Sequence, residues 1–201
     1  MKSVLRIALN PSPEQAQRLA ALQDMFALAC NAIAPMVQST RCWNRVALHH
    51  MAYKSLREQF PDLGSQMACN VIYSVSRASR LIYQHPKSPF NLAQLGERPL
   101  PLLKFDPSCP VYFDRHTLSL KEGVLSLYTL DGRMRFQLNL QPADEQAFQS
   151  SKLREIVLKR NVSKAFELVF HLADAGDVQT ATQTQEDAGE LPQYVVVEES
   201  P

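Results

Sequence analysis

None of the common catalytic loops is written in this chain of 201 residues. It has no G-x-x-x-x-G-K, no G-x-G-x-x-G, no G-x-S-x-G and no H-E-x-x-H. Phosphate-loop, dinucleotide, nucleophile-elbow and zincin chemistries therefore have no sequence foothold. The four cysteines, Cys30, Cys42, Cys69 and Cys109, form no C-x-x-C pair and have no histidine at metal-ligand spacing, so they read as free thiols, mostly core. His49-His50 is the only histidine cluster, and neighbours on a helix point about 100° apart, too far to share one metal. No metal or other cofactor is expected. No apolar run is read as long enough to cross a bilayer, and the Met1-Lys2-Ser3 start has no secretory core, so the expectation is a cytoplasmic protein without a membrane partner.

Basic residues are also missing from one end. Residues 1–164 carry all 21 Lys and Arg against 12 Asp and Glu, whereas 165–201 carry no base and 8 acids. A basic body attracts phosphate backbones; an acidic tail either competes for that surface or keeps the protein soluble.

What is present falls into a helical first half and a β-rich second half. Val4 to Leu9 alternates as a strand. Ser12-Pro13-Glu14-Gln15 reads as an N-cap, a proline where its missing N–H costs nothing, and a capping box. Leu19, Leu22, Phe26, Ala29 and Ile33 mark one stripe of a helix expected to end near Pro35. A second helix is expected over about 44–59, with Tyr53, Leu56 and Phe60 inward. A third follows Ser65 as its cap, with Ala68, Ile72, Val75, Ser79 and Ile82 inward. The other side of the third helix carries Asn70, Ser74, Arg77 and Gln84, with Arg80 nearby, a stripe that is either solvated surface or a place for phosphates and base edges.

Six prolines between His85 and Pro110 exclude a helix or central strand there and indicate an extended connector, with a strand at 102–105. Short strands are expected at 111–113, 117–120, 124–129, 133–140, 154–159 and 165–172. Asp131-Gly132 is read as a hairpin turn with both residues at positive φ. On the strand after it, Met134, Phe136, Leu138 and Leu140 face the core, and Arg133 and Arg135 face water or a polar partner. Asp106, Asp114, Glu122 and Asp131 fall within the β-region, three of them beside turns where acids are ordinary solvent-facing choices, and none is read as catalytic. Beyond Ala173 the chain is polar and low in complexity, which predicts disorder; Tyr194 to Val197 is at most an isolated strand.

Three segments taken in order resemble the N-terminal half of OrfB/TnpB proteins, transposon-encoded RNA-guided DNA endonucleases regarded as ancestral to type V CRISPR nucleases. The first is Leu9-Asn-Pro-Ser-Pro-Glu-Gln-Ala-Gln-Arg-Leu19, with Asn31 downstream. The second is the stretch from Tyr53 to Ile72, and the third runs from Val111 to Leu120 and on to Leu127–Arg133. The resemblance implies an α+β fold: a wedge-like, discontinuous small β-barrel, strand 4–9 plus strands within 102–172, interrupted by a three-helix recognition insert. The implied divisions are 1–10, 11–84, a connector 85–110, 111–172 and an acidic tail 173–201. In that family an RNase H-type nuclease domain and a four-cysteine zinc ribbon come next, and the sequence ends at Pro201 before either. The expectation is therefore a non-catalytic protein that binds RNA and/or DNA, with Asn70, Arg77, Arg80, Arg133 and Arg135 as contacts. The alternatives are a subunit completed by a separately encoded nuclease domain and an interaction module using the acidic tail.

Overall fold

The computed structural model describes residues 3–173 and 191–199, and the 174–190 part of the tail expectation lies outside the described residues. Element order is β1 (Ser3–Ala8), α1 (Pro13–Thr40), α2 (Arg45–Gln59), a 3-10 turn (Pro61–Leu63), α3 (Ser65–Tyr83), α4 (Leu92–Leu95), β2 (Leu102–Phe105), β3 (Val111–Phe113), β4 (Leu118–Lys121), β5 (Val124–Thr129), β6 (Gly132–Gln137), α5 (Pro142–Ser150), β7 (Lys152–Arg160), β8 (Phe166–Ala173) and β9 (Val195–Glu198). The chain is mixed α+β, with only antiparallel strand pairs among the described residues. It divides into two compact units.

The first unit takes residues up to Gln23 and returns at Pro110. Its larger sheet has the order β1-β8-β7-β3, so the first strand of the chain pairs with the last strand before the acidic tail. A three-stranded sheet, β4-β5-β6, completes its β structure. Among the described residues none of the sheets closes into a barrel, contrary to the expectation. At the β6 edge, Gln15 Nε2 donates to the Arg135 carbonyl at 3.4 Å, so a helix side chain takes a backbone acceptor there. Between β6 and β7 lies α5, which sequence reading passed over. Pro142 opens it, Asp144 and Glu145 complement its dipole, and Phe148 packs edge-on to Phe170 at 5.6 Å.

The turns carry a second correction. Only Gly132 of the Asp131-Gly132 pair has positive φ, at 96°, and the register pairs Thr129 with Gly132 across a loop made of Leu130 and Asp131. The turn with two positive-φ residues is Glu122-Gly123, at 51° and 72°, between β4 and β5.

The second unit holds α1 from Asp24 onward, α2, α3, α4, β2 and β9. The expected stripe of α1 is buried, with Leu19, Leu22, Phe26 and Ala29 fully enclosed; each large one contributes roughly 1.5–3 kcal/mol. Its capping box is made: Gln15 N donates to Ser12 Oγ at 3.2 Å and Ser12 N to Gln15 Oε1 at 2.9 Å. The helix runs five residues past Pro35, which lies exposed. At 28 residues, with a window of mean hydropathy 1.3, α1 is long and apolar enough to span a membrane, contrary to the sequence reading; half of that window is buried in the protein, as in a globular core helix.

Asn44 caps α2 by accepting from Val46 N and Ala47 N. Gly64, not Ser65, precedes α3. The proline-rich connector holds one helical turn after all, α4, where Asn91 Oδ1 accepts from Gln94 N in a gap between Pro89 and Pro99. Tyr194 to Val197 is not isolated either: β9 pairs with β2, Tyr194 O accepts from Asp106 N at 2.9 Å, and Lys104 meets Glu198 at 2.6 Å.

Candidate nucleic-acid interface

In the second unit, α3 keeps little of its expected polar stripe in water. Asn70 is 6% exposed, with Nδ2 at 3.6 Å from the Met67 sulfur, and Ser74 is 1% exposed. Thirteen of its residues are buried, because this helix is enclosed by its neighbours on most sides rather than on one. Asn70 is therefore a core residue and not an accessible contact, which corrects the sequence expectation. Arg77 and Arg80 lie half-buried on the narrow outer strip with Tyr73, over whose ring the Arg45 guanidinium sits at 5.1 Å.

The first unit presents the better surface. Along β4, β5 and β6 the burial alternates, with Leu118, Leu120, Leu125, Leu127, Met134 and Phe136 inward. The opposite face is formed by Ser119 and Lys121 of β4, Val124, Ser126 and Tyr128 of β5, and Arg133, Arg135 and Gln137 of β6. Register places them in rows: Lys121, Val124 and Gln137 in one, Ser119, Ser126 and Arg135 in the next, and Tyr128 with Arg133 in the last. Three cations and no carboxylate stand on this face, with two hydroxyls and one aromatic between them. Such a set can meet phosphates by charge, sugars by hydroxyl hydrogen bonds and a base by stacking.

The two arginines of β6 are not equivalent. Arg133 Nη2 donates to the His116 carbonyl at 2.7 Å, and its Nη1 donates to the Ser126 carbonyl at 3.2 Å and hydroxyl at 3.4 Å. It is a clamp across the sheet as much as a free charge. The Arg135 side chain is exposed and has no hydrogen-bond or ion-pair partner among the described residues. Lys121, which sequence reading did not single out, stands on the same face. The aromatics Tyr112 and Phe113 of β3 are 4% exposed and Phe136 of β6 7%, whereas Tyr128 of β5 reaches the surface.

Carboxylates in this region serve turns and ion pairs. Asp114 Oδ1 accepts from His116 N, Thr117 N and Thr117 Oγ1. In the second unit, the Ser108 hydrogen bonds hold Asp106 below the usual carboxylate range. Glu167 takes Arg6 at 3.2 Å and Lys159 at 3.5 Å, and Glu155 faces His171 at 3.8 Å. Among the described residues no three His, Cys, Asp or Glu side chains converge in a metal-binding group.

No family model matches this chain, and no curated protein matches it.

Proposed function

We propose that this chain is a cytoplasmic, non-catalytic nucleic-acid-binding protein that holds RNA and/or DNA on the polar face of the β4-β5-β6 sheet. The observation that carries the reading is the composition of that face: Lys121, Arg133 and Arg135 with Tyr128 and two serines, and no acid among the outward residues of its three strands. The concentration of all 21 bases in residues 1–164 supports it. So does the commitment of Asp106, Asp114, Glu155 and Glu167 to turns and ion pairs, which leaves them poorly disposed to hold catalytic metal ions.

The same reading takes the two sheets of the first unit as an open counterpart of the wedge barrel of OrfB/TnpB-type proteins, with β1 joined to β8 across the helices between them. Under it, the chain grips a guide-like RNA or its DNA partner and leaves cutting to others. Binding is mainly electrostatic, so affinity for a structured RNA falls steeply as salt rises. Titration of a fluorescent RNA stem-loop across salt concentrations tests this with wild type and Arg135→Ala. The wild type is expected to bind with a steep salt slope, and the variant to bind more weakly with a slope lower by about one unit. Salt-insensitive, equal and weak binding by both overturns the proposal.

A further inference from the structure

An open groove of about 650 Å³ runs between the first turns of α1 and the β7–β8 turn, lined by Leu9, Asn10, Pro11, Ala16, Gln17, Ala20, Arg160, Lys164, Ala165 and Phe166. The small side chains of Ala16 and Ala20 leave the space, and Leu9 and Phe166 floor it with apolar surface. Only two of the lining residues are charged, Arg160 and Lys164, and both are cationic.

Arg160 is held in position from two sides. Its guanidinium lies over the Phe166 ring at 4.7 Å, directly across the strand pair, and its Nε donates at 3.2 Å to Oε1 of Gln23, a fully buried side chain. Both Nη groups are without a hydrogen-bond partner among the described residues. An arginine already fixed by stacking and one hydrogen bond loses little further freedom when its remaining donors meet an oxyanion. Lys164 sits on the turn that follows, where Asn161 Oδ1 accepts from Ser163 N and Ala165 N and the Asn161 carbonyl accepts from Lys164 N. Lys164 has φ of 62°, a conformation in which glycine or asparagine is the ordinary choice. Local turn chemistry thus does not call for a lysine at this position.

We propose that this groove is a phosphate-binding subsite for the backbone of a nucleic-acid strand, with Arg160 as a preorganised fork and Lys164 as a mobile point charge. The inference rests on the nucleic-acid reading above and adds a second, separate anchor to it. Asn10 and Gln17 stand on the opposite lip as neutral donors for sugar or phosphate oxygens.

The test uses the full chain, a fluorescent RNA stem-loop with a single-stranded tail, and inorganic pyrophosphate as a second probe. Arg160→Gln combined with Lys164→Gln is expected to lower RNA affinity about tenfold or more and to reduce the salt slope by about two units. Lys164→Gly separates binding from folding: relief of the positive φ is expected to raise the melting temperature while RNA affinity falls. A loss of structure cannot produce those opposite signs. Wild-type RNA binding that all these variants retain unchanged overturns the subsite and leaves the sheet-face proposal standing. Failure of the wild type to bind RNA removes both proposals. If pyrophosphate shifts the Lys164 and Ala165 amide resonances at micromolar concentration while RNA binding ignores the variants, the groove serves a free phosphate compound, and the nucleic-acid assignment is overturned.

Discussion

Arg18 donates from Nη2 to the Thr129 hydroxyl at 2.8 Å, joining the second turn of α1 to a hairpin 111 positions further along. Thr129 is 1% exposed, and its hydroxyl in turn donates to the Gly132 carbonyl at 2.5 Å, so one oxygen both anchors the helix and closes the turn. Arg18 Nη2 also reaches the Asp131 carbonyl at 3.3 Å, and its Nε lies 3.8 Å from the Asp131 carboxylate. The carboxylate is largely exposed, so the ion pair adds little beside the part-buried hydrogen bond to Thr129.

Thr129→Val keeps the shape and removes the hydroxyl, leaving the Arg18 donor without its acceptor in a part-buried site. The expected cost is about 1–3 kcal/mol by denaturant unfolding. Thr129→Ser restores the hydroxyl and is expected to recover most of that loss.

The two hairpin glycines are expected to respond differently. A Cβ on Gly123 meets Gln137 Nε2 and the Leu138 carbonyl, each at 3.2 Å, in addition to the strain of φ at 72°. A Cβ on Gly132 meets nothing within 4 Å, so only its φ of 96° opposes the change. Gly132→Ala is expected to cost about 1 kcal/mol and Gly123→Ala more, of the order of 2 kcal/mol. Glu122→Asn, at φ of 51°, is expected to stabilise by a few tenths of a kcal/mol up to about 1. Urea unfolding of the three variants gives the ranking.

Local chemistry was legible in the sequence where it is decided within a few residues. The Ser12–Gln15 capping box, the buried stripe of α1 and the strands over 102–105, 111–113 and 124–129 all follow from near-neighbour patterns. Long-range pairing was not. Nothing near Val195 announces that β2 will take it as a partner, because register between distant strands depends on the whole fold. Asn70 looked like surface because helical periodicity locates one buried face and cannot reveal that a second is covered. The groove had one readable signal: Arg160 and Phe166 flank a five-residue turn at equal distance from its centre, the arrangement that brings a cation over a ring across a hairpin. Arg18 had none, since its partners lie 111 and 113 positions away.

The thiols divide into two classes. Cys30 and Cys109 are fully buried, and burial, with Cys109 as its neighbour, pushes the Cys30 thiol well above its ordinary value. Cys42 and Cys69 are half-exposed. Because the thiolate is the reacting form, native-state alkylation with iodoacetamide is expected to modify Cys42 and Cys69 first. Cys30 is expected to react only on unfolding, and its protection is insensitive to moderate alkali, since a raised value keeps the thiol protonated as pH climbs through the usual range. Peptide mass mapping after timed labelling reads this out, and early labelling of Cys30 contradicts the packing around it.

The polar sheet face allows a final separation, between an arginine that holds the sheet and one that faces only solvent. Arg133 spans from β6 to the Ser126 and His116 carbonyls, so Arg133→Ala removes three hydrogen bonds, two to Ser126 and one to His116. Exposure limits the effect, because water replaces the lost donors, and the expected cost is about 0.5–1.5 kcal/mol. Arg135→Ala removes no such bond and is expected to change stability by less than about 0.5 kcal/mol. If charge on this face is what attracts a polyanion, both variants lose RNA affinity to a similar extent while only the first loses stability. Measuring unfolding and RNA titration on the same two proteins distinguishes the roles: equal stability for both removes the clamp, and unchanged affinity in the stable Arg135→Ala removes that arginine from the interface.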